Sequence, residues 1–210
     1  METKKYEFTG EMRLLGNTTL RRIRRLHDGL FGGWIEKESN LSHVGECFVF
    51  DDAMVHGNAR VYGNGAVYNR AEVCGDATVA GDADVCGDAD VRDNTTVCGD
   101  AWVFDSATLR DNAWVRGFAV VGDNAKVFGN AIVSGNARVS KRARVGGDAM
   151  VGDNAVVHGN AIVSGNARVS KNARVGDNAV VCDNAEVCDN AEVRGDAIVH
   201  GNAIVHGGGR

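Results

Sequence analysis

Every sixth residue from Val49 to Val205 is valine, with Leu109 the one substitute, and alanine follows four residues later at nearly every step. The unit reads V-x-[GD]-[ND]-A-x, as in VFGNAI at 127–132 and VCDNAE at 187–192. Alanine and the next valine are two residues apart, so an extended backbone turns both the same way and leaves the residue between them facing out. The [GD]-[ND] pair is then the bend, where Asn or Asp tolerates the left-handed region and bonds its own backbone. A two-residue strand followed by so shallow a bend cannot close a hairpin meander. A coil of such units, each turn bonded in parallel to the next, satisfies both the pattern and the backbone.

Composition agrees with a narrow stacked core. Hydrophobic residues make up 44% of the 210, yet most are Val and Ala, and proline is absent while glycine numbers 28. Small side chains suit repeated layers, and a chain without proline leaves its hydrogen-bond ladders uninterrupted. The net charge of −5 exerts no general pull toward nucleic acid or anionic lipid. No run reaches the apolar length of a membrane span, and METKKYEFTGEMRLL lacks the features of a signal peptide, which predicts a cytoplasmic protein. Cys74, Cys86, Cys98, Cys182 and Cys188 each follow a repeating valine, so they are expected on the outer surface as unpaired, reduced thiols. No CxxC spacing marks a zinc site, and no metal is expected, a metal or subunit contact at His200 and His206 being the alternative.

The hexads resemble those of the hexapeptide-repeat family, [LIV]-G-x-x-[STAV]-x. That resemblance implies an all-β fold, a left-handed parallel β-helix of triangular section with three hexads per coil; residues 47–210 would make about nine 18-residue coils, on the order of 43 Å long at the usual strand spacing. Residues 1–46 are expected to form an N-terminal cap. TLRRIRRL at 19–26 and GGWIEKESNLS at 32–42 resemble the segment that precedes the hexads in bacterial and prophage proteins of the YdcK type, a group labelled as acyltransferases. Leu20, Ile23, Leu26, Trp34, Ile35 and Leu41 supply the apolar set for closing the first coil, with Cys47 and Ala53 as its first small core residues. The run 19–26 reads as a strand, with a short amphipathic helix as the alternative. The coil carrying Val193, Val199 and Val205 has no cover of its own, so a homo-oligomer is expected, a dimer or a trimer, the trimer being what the family resemblance implies.

Outward positions carry whatever is distinctive. Phe48, Phe50, Tyr68, Trp102 and Phe104 fall on one wall, with Tyr62 and Trp114 on a second; clustered aromatics predict a subunit interface, packing under the cap, or stacking of a sugar or base. Acidic residues crowd the segment from Glu72 to Asp100, and basic ones the segment from Lys126 to Arg174. Most of those Asp stand at bends, where turn formation competes with cation binding. Lys141, Arg142 and Arg144 are the candidate phosphate-binding group. Arginines spread over all three walls without alternating aromatics make no case for nucleic acid. Charge pairing inside the cap is expected for Arg21, Arg22, Arg24 and Arg25, with Glu36, Glu38 and the acidic segment as their partners and a phosphorylated partner as the alternative. GNAIVSGNARVSK occurs at 129–141 and again at 159–171. A shift of five hexads puts the copies on different walls, which argues against a long wall-specific site there.

The family resemblance also implies acyl transfer from coenzyme A, with a histidine deprotonating the acceptor at a site between subunits. His56, His158, His200 and His206 all occupy the outward position after a repeating valine, where flat walls offer little to tune them. His158 is the candidate general base, though its coil brings no carboxylate to orient the ring. The hexads run from Val49 to Val205 without an inserted loop. The first reading is therefore a structural or binding solenoid acting as an oligomeric scaffold without a cofactor, and the second an acyltransferase, the only reading that calls for coenzyme A. An ice-binding wall would need a ladder of outward threonines, and only Thr78 and Thr96 form adjacent rungs.

Overall fold

The computed structural model describes residues 4–208. Within them the chain is an all-β parallel solenoid with about 18 residues per coil, and its one helical feature is a single 3-10 turn, Glu38–Asn40. Three sheets form the walls, of twelve, nine and nine strands. Each strand in the hexad region pairs in parallel with the strand eighteen residues on, as Val127 pairs with Val145 and Val133 with Val151. The ladder is near-complete: the N–H of Phe128 donates to the Val145 carbonyl at 2.9 Å and that of Asn130 to Gly147 at 2.8 Å.

The valine–alanine beat lies inside as expected. Val49 through Val187 are essentially sealed from solvent, as are the alanines that precede them. Between Val49 and Val205 two hexads depart from alanine, with Gly65 and Thr95 in its place. Thr95 is tolerated in the dry stack because its hydroxyl donates to the Arg92 carbonyl at 2.7 Å.

At the bends the two residues divide the labour. The first takes positive φ and is usually Gly or Asp: Gly129 has φ 71°, Asp111 65° and Asp123 58°. At most of the Asp positions the carboxylate accepts the backbone N–H one coil on, as Asp111 does from Gly129 at 2.9 Å. The second residue does not need the left-handed region. Its asparagines instead form ladders along the corners, Asn94 to Asn112, Asn112 to Asn130 and Asn130 to Asp148, at 3.1, 3.0 and 2.7 Å. The expectation that Asn and Asp serve the bend by tolerating the left-handed region and bonding their own backbone is thus corrected at the second position, where amide stacking is the reason.

The N-terminal segment is β structure. Strands β1 (Tyr6–Leu15) and β2 (Thr18–Arg25) form an antiparallel hairpin, and β2 pairs with β3 (Phe31–Ile35). Parallel pairing then begins at Trp34↔Met54 and Ile35↔Val55, followed by the bridge Leu41↔Val61. Ile35, Leu41 and Cys47 are themselves six apart, so the segment supplies a partial extra coil before a two-residue slip restores the beat at Val49. Leu20, Ile23, Ile35, Leu41 and Cys47 are buried; Leu26 is exposed. Tyr6 takes the core place beside them, donating its hydroxyl to the Glu38 and Leu41 carbonyls at 3.0 Å and stacking on His43. Burial raises the Tyr6 phenol well above its ordinary value.

His43 is structural. Its Nδ1 accepts the Lys5 N–H at 3.1 Å, which leaves Nε2 to donate to Glu38 at 3.0 Å. Charge pairing is inside the N-terminal segment, but with Glu7, Glu11 and Asp28 and not with Glu36, Glu38 or the acidic segment, while Arg21 lies over the Phe8 ring. Arg22 meets Glu11 and Arg24 meets Glu7 because antiparallel register sets β1 carboxylates opposite β2, and Arg25 meets Asp28 three residues on, in the turn that follows β2. Glu36 accepts the Gly57 N–H, and Glu38 is held by Lys4.

Candidate anion-binding surface

Because every coil repeats the same backbone, the outward residues form rows in which a side chain stands directly over the one eighteen positions away. Along one row Arg92, Arg110, Phe128 and Gly146 succeed one another; in the row beside it stand Thr108, Lys126 and Arg144. Phe128 lies flat because Gly146 has no side chain: a Cβ there would overlap the ring. The guanidinium carbons of Arg110 and Arg144 stand 5.1 and 5.6 Å from the ring centroid, one from the coil before and one from the coil after. Arg92, Asp93, Thr108, Arg110, Lys126, Phe128 and Arg144 enclose an open groove of about 380 Å³. A second hollow, bounded by Asn124, Lys126, Arg142 and Arg144, adjoins it.

Among the described residues Arg110, Lys126, Arg142 and Arg144 form no ion pair, whereas Arg92 is tied to Asp90 at 2.5 Å. Two guanidinium groups over the ring, with Lys126 and Arg142 beside them and Asp93 the one carboxylate lining the groove, leave a net positive field that an anionic group can neutralise. Of the sequence-derived phosphate group, Arg142 and Arg144 border these hollows. Lys141 is a bend residue at φ 60°, its N–H given to Asp123 at 2.8 Å. Arg110, Lys126 and Phe128 were outside that group; the signal that locates them is the eighteen-residue offset, which stacks Arg110, Phe128 and Gly146.

The aromatic rows divide. Phe48 is 1% exposed and Phe50 partly buried, and the guanidinium of Arg25 covers both rings. Phe48 therefore does not stand outward as its hexad position suggested, because the hairpin folds over the first coil. Further along, Trp102 donates to the Cys86 sulfur at 3.4 Å and packs against Phe104, with ring centroids 4.6 Å apart. Phe104 lies over Gly122 as Phe128 does over Gly146. Burial pushes the Tyr68 phenol and the Asp84 carboxyl of this wall upward. Trp102, Trp114 and Tyr62 remain 45, 44 and 47% exposed, and Phe118, at a corner where neighbouring coils carry Asn or Asp, is 61% exposed.

His158 is half-buried, its ring over Gly176, and its side chain makes no hydrogen bond among the described residues. His56 and His206 are not the isolated wall residues expected. His56 Nε2 is 2.9 Å from Glu72, which this contact holds below the usual carboxylate range, and Cys74 completes the group. His206 Nδ1 meets Asp189 and Cys188. Cys86 and Cys188 are buried, contrary to their outward register, because larger neighbours cover them; all six cysteines are free. Burial, Glu72 and Asp90 push the Cys74 thiol up to about 11. The residues able to hold a metal are thus His56, Glu72 and Cys74 in one place and Cys188, Asp189 and His206 in another.

A family model described as the YdcK beta solenoid repeat matches residues 143–159 and 161–177. These stretches lie in the unbroken middle of the solenoid, and the likeness is to its repeat. No curated protein matches the chain.

Proposed function

We propose that this chain is a binding solenoid, a stiff scaffold that works as a homo-oligomer and receives an anionic ligand in the groove around Phe128, with no acyl-transfer chemistry of its own. The observation that carries the reading is the set of unpaired cations, Arg110, Lys126, Arg142 and Arg144, on a wall whose backbone groups are committed to the ladder. Such a wall presents side chains at fixed spacing with little entropy left to lose on binding. Trp102, Trp114 and Phe118, exposed at one height of the shaft, support contact between copies. No helix among the described residues is long and apolar enough to cross a membrane. Cytoplasmic placement fits six free thiols.

The test is calorimetric titration with tripolyphosphate at low and at physiological salt, alongside a mass measurement in solution. Binding should weaken with salt and fall about tenfold in Arg144→Ala, roughly the worth of one charge-assisted contact. Arg168→Ala, on another wall, should leave it unchanged. Equal loss in both variants, or no binding, contradicts the groove; a monomer contradicts the assembly. Turnover of acetyl coenzyme A that disappears in His158→Ala would replace the reading with the enzymatic one.

A further inference from the structure

The rungs Glu186–Cys188 and Ile204–His206 differ from the other rungs of the solenoid: each is three residues long where the rest are two. The added pair is Cys188↔His206, extended by the Gly207 N–H donating to the Cys188 carbonyl at 3.3 Å. Asp189 completes the cluster. Cys188 Sγ is 2.9 Å from His206 Nδ1, Asp189 Oδ2 is 3.0 Å from the same nitrogen, and sulfur and carboxylate are 3.7 Å apart.

A nucleophile relay would use both imidazole nitrogens, one toward the sulfur and one toward the carboxylate. Here sulfur and carboxylate oxygen both address Nδ1, so three donor atoms face a common point. A tetrahedral ion with bonds of about 2.0 Å to N and O and about 2.3 Å to S holds its ligand atoms about 3.3–3.6 Å apart. Moving the imidazole nitrogen away by about 0.3 Å from the carboxylate oxygen and about 0.6 Å from the sulfur, with the latter two closing by about 0.2 Å, reaches that spacing, and His206, whose side chain is 61% exposed, is free to make the movement. The other oxygen of Asp189 is held at 2.6 Å by Lys171, which fixes the carboxylate with Oδ2 toward the cluster. Thiolate and imidazole together select a borderline cation over Mg²⁺ or Ca²⁺. In sequence the arrangement is a Cys and a His eighteen residues apart on one outward row. His56/Cys74 repeats it, with Glu72 as the carboxylate.

We propose that Cys188, Asp189 and His206 bind a divalent cation of the Zn²⁺ class, which staples the rung 204–206 to the rung 186–188 and keeps its fourth position toward solvent. The probe is Co²⁺, titrated into a Cys74→Ser chain so that the other cluster is silent. One equivalent should produce thiolate-to-cobalt charge-transfer absorption in the near ultraviolet, bleached by Zn²⁺ and untouched by Mg²⁺. Adding Cys188→Ser or His206→Ala should abolish it, while metal-free melting stays that of the parent. Zn²⁺ should raise the melting temperature of the Cys74→Ser chain and not that of the chain lacking Cys188. No absorption in the Cys74→Ser chain, or absorption that survives Cys188→Ser, overturns the assignment.

Discussion

The ring of Phe128 occupies the space where a side chain on Gly146 would begin. This single relationship lays the ring against the wall and lets Arg110 and Arg144 stand over it. Gly146 does not require positive φ, so a substitution there acts by volume alone. Gly146→Ala should cost about 1–3 kcal/mol, the usual range for overpacking, and weaken tripolyphosphate binding by displacing the ring. Phe128→Leu in the same chain should restore most of the stability but not the binding. Melting curves and titration of the single and double variants check both effects.

Asn130 lies between Asn112 and Asp148 in a corner ladder, at 3.0 and 2.7 Å. Asn130→Val removes both contacts and should cost about 1–2 kcal/mol. A double-mutant cycle with Asn112→Ala should show coupling, since the two substitutions destroy one shared bond. Additive losses would assign the cost to bend strain instead.

Val133 is fully buried whereas its chain neighbour Ile132 faces outward and is half-covered. Val133→Asp puts a charge in a dry stack with no partner and should cost more than about 4 kcal/mol, or prevent folding. Ile132→Asp should cost far less. Urea unfolding of the pair reads the difference, and equal losses would reverse the inside and outside assignment.

Burial raises the folded-state pKa of Asp84 above its unfolded value. Its charge therefore opposes folding at pH above the raised pKa, and this cost vanishes as pH falls below the ordinary carboxylate value. Asp84→Asn should raise the melting temperature at neutral pH, and the gain should disappear near pH 3. Glu72 behaves oppositely, because the His56 contact lowers its pKa. The stability it lends holds above the unfolded pKa and is lost as pH falls through the lowered one, so Glu72→Gln should destabilise at pH 5–6. Melting temperatures across pH 3–7 separate the two signs.

The inward set was readable from the chain because a period of six applies the same burial rule to every valine and alanine. What the outward residues do depends on their neighbours eighteen positions away and on what folds over them. Phe48 has the hexad register of an exposed residue, yet the hairpin covers it. Cys188 has the same register but lies beneath His206. Arg110 and Phe128 acquire meaning only when Gly146 is seen one coil on. Ile35 and Leu41 keep the six-residue spacing, but two extra residues before Val49 hide their membership of the coil series.

Each residue of the hexad region stands one strand spacing from the residue eighteen positions later. Spin labels at Tyr62→Cys and Ser170→Cys, in a chain whose own cysteines are replaced by alanine or serine, lie on one outward row six coils apart. Double electron–electron resonance should give a narrow distance distribution centred at about 29 Å, six times the strand spacing. A broad distribution, or a centre displaced by more than about two strand spacings, would contradict the stacked-coil account.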